Sequence, residues 1–301
     1  MRLAVTGGAG FIGSYLAKEI TEQGHTPIII DSLVRGRLEN LEPLKNYEFH
    51  KIDIREYQKL RNVLGNVDGI FHEAALTDVQ ESFTKKEEYI DVNVRGTENV
   101  FRIAKEFGMK VVYASSSSVY GNPEKIPITE DSKRNPINPY GNTKLEDEFL
   151  GKKYVEDGVS IIGLRYFNVY GRGQTGSYAG VITKFINQLK EKKPPIIFGN
   201  GTQIRDFIFV EDVAKANLAA MRSTTNNGFF NVGTGVTTSI KHLARIMIDL
   251  SGLNMMPQFE NPLEGDVQNS QADITLSKKT LNWYYSTELK DGLAKFFPLS
   301  N

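Results

Sequence analysis

The sequence predicts an α/β protein with a doubly wound parallel sheet and a smaller C-terminal α/β lobe. Strands and helices alternate over about the first 165 residues, which is the order expected of a parallel sheet. The predicted strands are continuous apolar runs, as in sheets that helices cover on both faces. A glycine-rich turn separates the first strand from the first helix and allows the chain to turn sharply there.

The first strand, turn and helix are the clearest part of this pattern. Residues 3–5 form a short apolar run that glycines close. The segment Phe11–Glu22 then carries Ile12, Leu16 and Ile20 at helical spacing. Three isoleucines that end in Asp31 predict a second buried strand.

Further strands and helices continue the alternation as far as Tyr170, after which the pattern becomes irregular. Strands are predicted at residues 68–71, 110–114 and 160–164, and helices at 87–107 and Pro139–Glu156. Pro139 suits the first turn of its helix. After Tyr170, glycines and polar residues break the rhythm, and further elements are predicted as a helix near 180–192, a strand-helix pair at 206–221 and a strand at 229–232.

The regular and the irregular part of the chain suggest two structural domains. The doubly wound domain is expected to comprise residues 1–167 and about 206–240, because the strands and helix predicted at 206–232 resemble those of the first sheet. The smaller lobe is expected to comprise about 168–205 and 241–301.

Composition excludes several classes of function. Lys plus Arg (36) equals Asp plus Glu (36), so no overall positive field exists to attract nucleic acid or an anionic membrane. The absence of cysteine removes disulfides, thiolate nucleophiles and sulfur-ligated zinc, and we expect no metal site. No apolar run approaches the ~20 residues that span a bilayer, and the apolar start is too short for a signal peptide. We therefore expect a cytoplasmic protein.

The turn after the first strand contains the pattern Gly-x-x-Gly-x-x-Gly, formed by Gly7, Gly10 and Gly13. Gly7 permits the tight turn, Gly10 lets the backbone approach a pyrophosphate, and Gly13 lets the helix pack closely on the sheet. The helix N-terminus offers N–H groups and the positive end of its dipole to phosphates. A plain glycine turn gives the same pattern, but the strand-turn-helix context favours a Rossmann dinucleotide site.

An acidic residue at the end of the second strand indicates which dinucleotide binds. Asp31 stands where a carboxylate accepts both hydroxyls of the adenosine ribose and repels a 2′-phosphate, which favours NAD. Arg35 and Arg37 follow closely and keep NADP as an alternative. Asp53, after the third strand, is suited either to the adenine amino group or to capping the next helix.

Tyr140 and Lys144 are four residues apart near the start of a helix, so they lie on one face, one turn apart. A nearby ammonium favours the phenolate, which makes Tyr140 a candidate base for a substrate hydroxyl. An exposed tyrosine beside a surface lysine gives the same spacing. The nucleotide site upstream favours the catalytic interpretation, as does the serine run 115–118 directly after a strand, where a parallel sheet presents its ligand loops.

Taken together, these residues resemble the extended short-chain dehydrogenases/reductases, and among them the NAD-dependent nucleotide-sugar epimerases such as the UDP-glucose (UDP-galactose) 4-epimerases. The likeness covers nearly the whole chain. Its motifs are Thr6-Gly-Gly-Ala-Gly-Phe-Ile-Gly13, His72-Glu-Ala-Ala75, Asn93-Val-Arg-Gly-Thr97, residues 115–121, Pro139-Tyr-Gly-Asn-Thr-Lys144, Leu164-Arg-Tyr-Phe-Asn-Val-Tyr-Gly171, Gly199-Asn-Gly-Thr-Gln-Ile-Arg-Asp206 and Gly265-Asp266.

The resemblance implies an isomerase of carbohydrate metabolism. Tyr140 would take the proton of the sugar 4-hydroxyl with the help of Ser116, while the hydrogen on C4 leaves as hydride to NAD. The keto sugar would then turn over and receive the hydride on its other face. Lys144 would also hold the cofactor ribose. The implied cofactor contacts are Gly7, Gly10, Phe11, Ile12, Gly13, Asp31, Asp53, Ile54, Ala74, Ala75, Asn93, Tyr140 and Lys144.

The implied substrate contacts are Ser116, Tyr140, Asn168, Arg205, Asp266 and Ser270. Asn168 and Arg205 would bind the diphosphate, and residues 195–201 would hold the uridine. A salt bridge to Asp206 or Glu211 is the structural alternative for Arg205. Relatives are usually homodimers through the helices that correspond to 87–107 and Pro139–Glu156.

Two departures from the family pattern concern the substrate. Leu263 stands where relatives have a second phosphate-binding arginine, so that contact is missing or comes from elsewhere, with Arg172 as one candidate. Ser270 occupies a position where a tyrosine closes the sugar pocket in some relatives and a small residue admits an N-acetyl group in others. The pocket is therefore expected to be open to N-acetylhexosamines.

Four other functions compete with 4-epimerisation. Family dehydratases carry Asp-Glu where this chain has Ser117 and Ser118, which leaves 4,6-dehydration without its proton donor. Epimerisation at C5 or decarboxylation of a uronic acid sugar uses the same oxidised intermediate and stays open. A non-catalytic NAD-binding sensor would need neither Tyr140 nor Lys144.

Overall fold

The computed structural model describes residues 1–174, 180–264 and 267–297. Its strands, in chain order, are β1 (Arg2–Thr6), β2 (Thr26–Asp31), β3 (Glu48–Lys51), β4 (Gly69–His72), β5 (Lys110–Ser116), β6 (Ile161–Tyr166), β7 (Asn168–Tyr170), β8 (Ile196–Phe198), β9 (Ile204–Phe209), β10 (Asn227–Val232), β11 (Thr237–Ser239) and β12 (Gln258–Glu260). Its helices are α1 (Phe11–Glu22), α2 (Tyr57–Leu64), α3 (Val79–Thr84), α4 (Lys86–Tyr89), α5 (Gly96–Phe107), α6 (Pro139–Glu156), α7 (Val181–Lys190), α8 (Val210–Arg222), α9 (Ile240–Ser251), α10 (Thr275–Leu281) and α11 (Leu289–Ala294).

The largest sheet has seven parallel strands, in the order β10-β6-β5-β4-β1-β2-β3. From β1 the chain moves outward through β2 to β3, and it then restarts at β4 on the other side of β1. Strand order therefore reverses between β1 and β4, which is the position where folds of this kind bind ligands beyond the carboxyl ends of their strands. The predicted doubly wound fold is confirmed.

Apolar side chains cover both faces of this sheet. One core joins β1 to α1 and α8 through residues such as Val5, Leu16 and Val213, and another joins β4 and β5 to α5 through Ile70, Val111 and Phe101. The strands are apolar on both sides because helices pack on both sides.

Two smaller sheets lie in the second half of the chain, in the orders β11-β9-β7 and β12-β8. Strand β10 returns to the large sheet beside β6, as expected. The preceding strand, β9, pairs with β7 and β11 instead. The division into two domains at about residues 168, 206 and 241 stays a prediction.

The predicted helices at Phe11–Glu22 and Pro139–Glu156 have the bounds that the sequence indicates. The helical stretch predicted at 87–107 is interrupted, because α4 and α5 are joined by the π-helical segment Ile90–Arg95. Across the described ranges, the helices are all too short or too polar to cross a bilayer. The cytoplasmic location stays a prediction.

Candidate active site

The glycine turn after β1 is shaped by close backbone contacts. Gly7 has φ +68°, and a Cβ atom on it would lie 2.7 Å from the backbone nitrogen of Ala74, in the loop after β4. A Cβ atom on Gly13 would collide with the carbonyl oxygen of Gly7. Gly10 is the N-cap residue of α1 and provides no side-chain cap, so the N–H groups of Phe11 and the next residues are available to phosphates.

Asp31 lies at the end of β2 beside this turn, and its side chain is buried. Its carboxylate accepts hydrogen bonds from the backbone N–H groups of Ala9 (3.0 Å) and Leu33 (2.8 Å). Burial raises the pKa of Asp31, although these two bonds oppose the shift. The guanidinium of Arg35 forms an ion pair with Glu81 at 2.6 Å, and Arg37 donates its backbone N–H to Ala9. The adenosine end of the site thus presents a fixed carboxylate.

The structure corrects one interpretation of Asp53. Helix α2 begins at Tyr57 with Glu56 as its N-cap residue, so Asp53 does not cap it. The Asp53 carboxylate instead accepts hydrogen bonds from the backbone and guanidinium of Arg55, which holds the pKa of Asp53 below its usual range. Its contact with adenine stays a prediction.

Ile54 and Asn93, two of the expected cofactor contacts, are both buried in protein contacts. The Ile54 side chain packs against Gly96, where a Cβ atom would approach it to 2.5 Å. The fully buried Asn93 amide binds both backbone groups of Leu76, at 2.7 and 2.9 Å, and the hydroxyl of Thr143 at 3.0 Å. Asn93 therefore fixes the loop after β4 to α6, the helix that carries Tyr140.

Helix α6 positions the predicted base and its cation. Asn138 caps the helix by accepting the N–H of Gly141 at 2.8 Å, with Pro139 in the first turn. Tyr140 follows, and its backbone N–H donates to the hydroxyl of Ser82 at 3.2 Å. Lys144, one turn further on, is 3% exposed.

Lys144 belongs to a group of buried charges beneath Tyr140. Its Nζ lies 3.2 Å from the Oδ2 atom of the fully buried Asp147. Burial opposes the charge of Lys144, but the nearby Asp147 and Tyr140 outweigh it and raise the pKa of Lys144. Burial raises the pKa of Asp147 to about 7, against the effect of Lys144.

Two residues of the His72-Glu-Ala-Ala75 motif face this group. Burial and the charge of Lys144 lower the pKa of His72 to about 3, so the ring is neutral, and it bonds to Thr6 (2.6 Å) and Thr97 (2.8 Å). Burial raises the pKa of Glu73 to about 7. Glu73 accepts the hydroxyl of Tyr166 at 2.9 Å, and its Oε2 atom is buried without a hydrogen-bond partner. Glu73 is not recognisable as a functional residue from the sequence, since a single acidic residue in the His72-Glu-Ala-Ala75 motif carries no signal of its own.

Ser116 lies at the end of β5, where its side-chain oxygen accepts the N–H of Ser118 at 3.1 Å. The preceding Ser115 donates to the buried Glu148 of α6 at 2.8 Å, and Glu148 is also bound by both arms of Arg165 at 2.7 and 2.8 Å. These bonds tie β5, β6 and α6 together beside the reaction centre.

A cavity of about 390 Å³ opens at this edge of the sheet. It contains several of the predicted catalytic and substrate residues together with residues that the sequence analysis did not select. The predicted ones are Ser116, Tyr140, Asn168, Phe198, Arg205 and Ser270, and the others include Asp78, Tyr166, Lys184 and Gln203. The structure thus brings the predicted hydroxyl-oxidising residues and the predicted phosphate-binding residues to one cavity.

The substrate residues come from the second half of the chain. Asn168 begins β7, Arg205 lies on β9 with 8% exposure, and Ser270 donates its backbone N–H to Ile204. The carboxylates considered as partners of Arg205 are engaged, because Asp206 binds residues 234, 235 and 272 while Glu211 pairs with Lys295.

Two other predicted substrate positions can be placed against this cavity. Leu263 lines it. Arg172 does not, and its guanidinium donates to the carbonyl of Lys295. Asp266 lies outside the described residues.

Comparison with known proteins identifies the family. Residues 3–233 match the model of the NAD dependent epimerase/dehydratase family. The chain belongs to this family. Membership confirms the resemblance to the extended short-chain dehydrogenases/reductases.

Relatives in the epimerase/dehydratase family differ in their reactions. The chain is 36% identical to a putative UDP-glucose 4-epimerase of Methanocaldococcus jannaschii, over 97% of this chain and 96% of that protein. It is 32% identical to a UDP-N-acetyl-alpha-D-glucosaminuronate decarboxylase of Bacillus cytotoxicus, over 97% of this chain and 95% of that protein.

Solved structures of family members are also close. The UDP-glucose 4-epimerase of Thermotoga maritima with UDP-glucose has a TM-score of 0.93 at 32% identity, covering 98% of this chain and 96% of that one. The UDP-glucuronic acid 4-epimerase of Bacillus cereus, a Y149F mutant in complex with UDP-4-deoxy-4-fluoro-glucuronic acid and NAD, has a TM-score of 0.92 at 30% identity, covering 99% and 98%. The prediction of NAD as the cofactor is confirmed.

The residues of this epimerase/dehydratase chain fit NAD. The glycine turn leaves no room for side chains between β1 and the loop after β4, and the first turn of α1 has no side-chain cap. Asp31 offers carboxylate oxygens at the end of β2, where ribose hydroxyls are bound in folds of this kind.

Proposed function

We propose that the chain catalyses the reversible 4-epimerisation of a nucleotide sugar, with UDP-glucose and UDP-galactose as the first candidates and UDP-GlcNAc and UDP-GalNAc as further ones. One observation carries the proposal: Ser116 and Tyr140 share a single cavity with Asn168 and Arg205. One set is suited to remove a proton from a hydroxyl, and the other is suited to hold a diphosphate.

Proton transfer is the task of Tyr140. Its phenolic oxygen takes the proton of the sugar 4-hydroxyl, and the charge of Lys144 stabilises the negative charge on that oxygen. Ser116 assists: because its oxygen already accepts the N–H of Ser118, its own hydrogen is available to the sugar oxygen. When bound, NAD would supply a hydride acceptor for the carbon that bears this hydroxyl and, once reduced, a hydride donor for the opposite face.

The substrate must turn over between the two halves of the reaction. Firm binding at the diphosphate and loose binding at the sugar permit this. Arg205 and Asn168 hold the phosphates, while the sugar end of the cavity is lined by the small Ser117, Ser118 and Ser270. The small size of Ser270 supports acceptance of N-acetylated sugars.

Dehydration is disfavoured by the same cavity. Ser117 and Ser118 occupy the position of the acid pair of the dehydratases and offer no carboxylic acid. Among the described lining residues the carboxylate is Asp78, whose Oδ1 atom caps α3 by accepting the N–H groups of Gln80 (2.8 Å) and Glu81 (3.0 Å). Decarboxylation or C5 epimerisation of a uronic acid sugar is the second candidate, because a decarboxylase is among the relatives.

A panel of UDP-, dTDP- and GDP-sugars tests the proposal. The purified protein, without added cofactor, is incubated with each sugar and the products at equilibrium are resolved by NMR. We expect UDP-glucose and UDP-galactose to give the same mixture from either side. Release of CO₂ from UDP-glucuronate with formation of a pentose, and no C4 epimer, would identify a decarboxylase. No turnover with any sugar would identify a sensor.

A further inference from the structure

The part of the cavity built by the smaller sheets contains a cation that none of the family motifs includes. Lys184 on α7 lines the cavity together with Arg205 on β9. Asp78, the carboxylate among the described lining residues, belongs to the segment before α3, on the side of the large sheet. Two cationic side chains, Lys184 and Arg205, thus line the side formed by α7 and β9.

The position of Lys184 on α7 separates it from the core. The apolar face of the helix packs inward through Ile182, Phe185, Ile186 and Leu189. Lys184 lies off this face and is exposed. Within residues 1–174, 180–264 and 267–297, its ammonium has no hydrogen-bond or ion-pair partner. An ammonium without a partner on the wall of a cavity is suited to an anionic ligand.

The family pattern contains a second phosphate-binding arginine, and this chain has Leu263 there. Leu263 lines the same cavity and cannot bind phosphate. Its segment follows β12, which pairs with β8, and the side chain of Gln80 donates to the carbonyl of the neighbouring Glu264 at 2.9 Å. Arg172, the other candidate for the missing contact, is bound to the carbonyl of Lys295 outside the cavity. Neither Leu263 nor Arg172 therefore offers a cation to this wall of the cavity.

We propose that Lys184 supplies the second positive charge for the substrate diphosphate, in place of the arginine that Leu263 replaces. The inference rests on the proposed function, because it assigns Lys184 to the same site. A flexible ammonium reaches phosphate oxygens as a point charge, whereas Arg205 binds them with a planar fork. The two cations on neighbouring elements would hold the diphosphate while the sugar turns.

The decisive measurement is the affinity for UDP, which contains the diphosphate and no sugar. Isothermal titration calorimetry on the NAD-loaded protein compares the parent with Lys184→Met and with Lys190→Met. Lys190 is exposed on the same helix but does not line the cavity, so it controls for loss of a surface charge. We expect Lys184→Met to weaken UDP binding roughly tenfold and Lys190→Met to leave it unchanged.

A second substitution sharpens the test. Leu263→Arg, added to Lys184→Met, is expected to restore UDP affinity, because it returns a cation to the other position on the wall. Unchanged UDP affinity in Lys184→Met would overturn the proposal. A loss that appears with UDP-glucuronate but not with UDP would also overturn it, since Lys184 would then bind the sugar carboxylate. UDP binding requires no turnover, so a failure to epimerise would count against the proposed function alone.

Discussion

The two ends of the cavity are built in different ways. At the reaction end, Ser116 and Tyr140 lie at the carboxyl edge of the large sheet, above the buried pair of Lys144 and Asp147. At the nucleotide end, Lys184 and Arg205 come from α7 and the three-stranded sheet, and Lys184 is exposed. The first end is fixed by buried charges, whereas the second combines the buried Arg205 with the exposed Lys184.

We expect the reaction end to control proton transfer and the nucleotide end to bind the substrate. Charges in a buried setting act strongly on one another, so the reaction end can control a proton at one oxygen atom. An exposed cation such as Lys184 contributes less individually. Substitutions at the reaction end should therefore have the larger effects, and the following predictions are ordered by size.

Tyr140→Phe should reduce turnover about 10³-fold or more, because it removes the group that exchanges a proton with the sugar hydroxyl. NAD should remain bound, since the glycine turn and Asp31 are unchanged. Turnover is measured by product NMR and NAD content by absorbance after denaturation. Tyr284→Phe, at an exposed position, is the control. Normal turnover in Tyr140→Phe would refute the mechanism.

Lys144→Ala should reduce both turnover and NAD occupancy, and it should also destabilise the fold by about 3 kcal/mol because Asp147 is left buried without its cation. Adding Asp147→Asn removes the unpaired charge. The double variant should recover most of the unfolding free energy in urea but not the turnover. Recovery of both would show that Lys144 is needed only for folding.

Glu73→Gln should change how stability depends on pH. Burial raises the pKa of Glu73 from its usual 4.5 to about 7. Between these values the unfolded chain releases the proton and the folded chain keeps it, so the parent loses stability as pH rises through this window. Relative to Glu73→Gln, the parent should lose about 3 kcal/mol of its free energy of unfolding between pH 4.5 and pH 8.

Urea unfolding at several pH values measures this difference. Burial raises the pKa of Asp147 as well, but Asp147 is present in both proteins, so its effect cancels in the comparison. Tyr166→Phe serves as a second variant: it removes a hydrogen bond that lowers the pKa of Glu73, so the loss of stability with rising pH should be larger than in the parent. Parallel curves for the parent and Glu73→Gln would contradict the assignment.

Ser270→Tyr should have the smallest effect, and it should be selective. Ser270 is buried against β9 on the cavity wall, so a phenol there fills space needed by an N-acetyl group. Activity on UDP-GlcNAc should fall about tenfold while activity on UDP-glucose changes little. Ser270→Thr is the matched control. Equal losses on both sugars would argue against a gating role.

The reaction end was also the easier one to predict from sequence. Helix α6 starts at Pro139 because Asn138 and Pro139 are local signals, and its spacing alone puts Tyr140 and Lys144 on one face. Other features depend on distant partners. Glu73 accepts a hydrogen bond from Tyr166, which lies 93 residues further along the chain. The pairing of β9 with β11 likewise depends on which strand lies nearby in the fold.

Lys184 illustrates the limit at the nucleotide end. The apolar residues of α7 predict its buried face. A lysine off that face has the same sequence pattern whether it is on the open surface or lines a cavity. Only the arrangement of α7 beside β9 makes the distinction. The sequence therefore predicts that Lys184 lies outside the core but not that it lines the cavity.

The most direct test of the central claim uses UDP-glucose that carries deuterium at C4, incubated with the purified protein in ordinary water and without added cofactor. If the chain oxidises C4 and returns the same hydrogen to the opposite face, the UDP-galactose formed retains the deuterium at C4. Loss of the label to water, or formation of UDP-galactose only when NAD is consumed, would contradict the account.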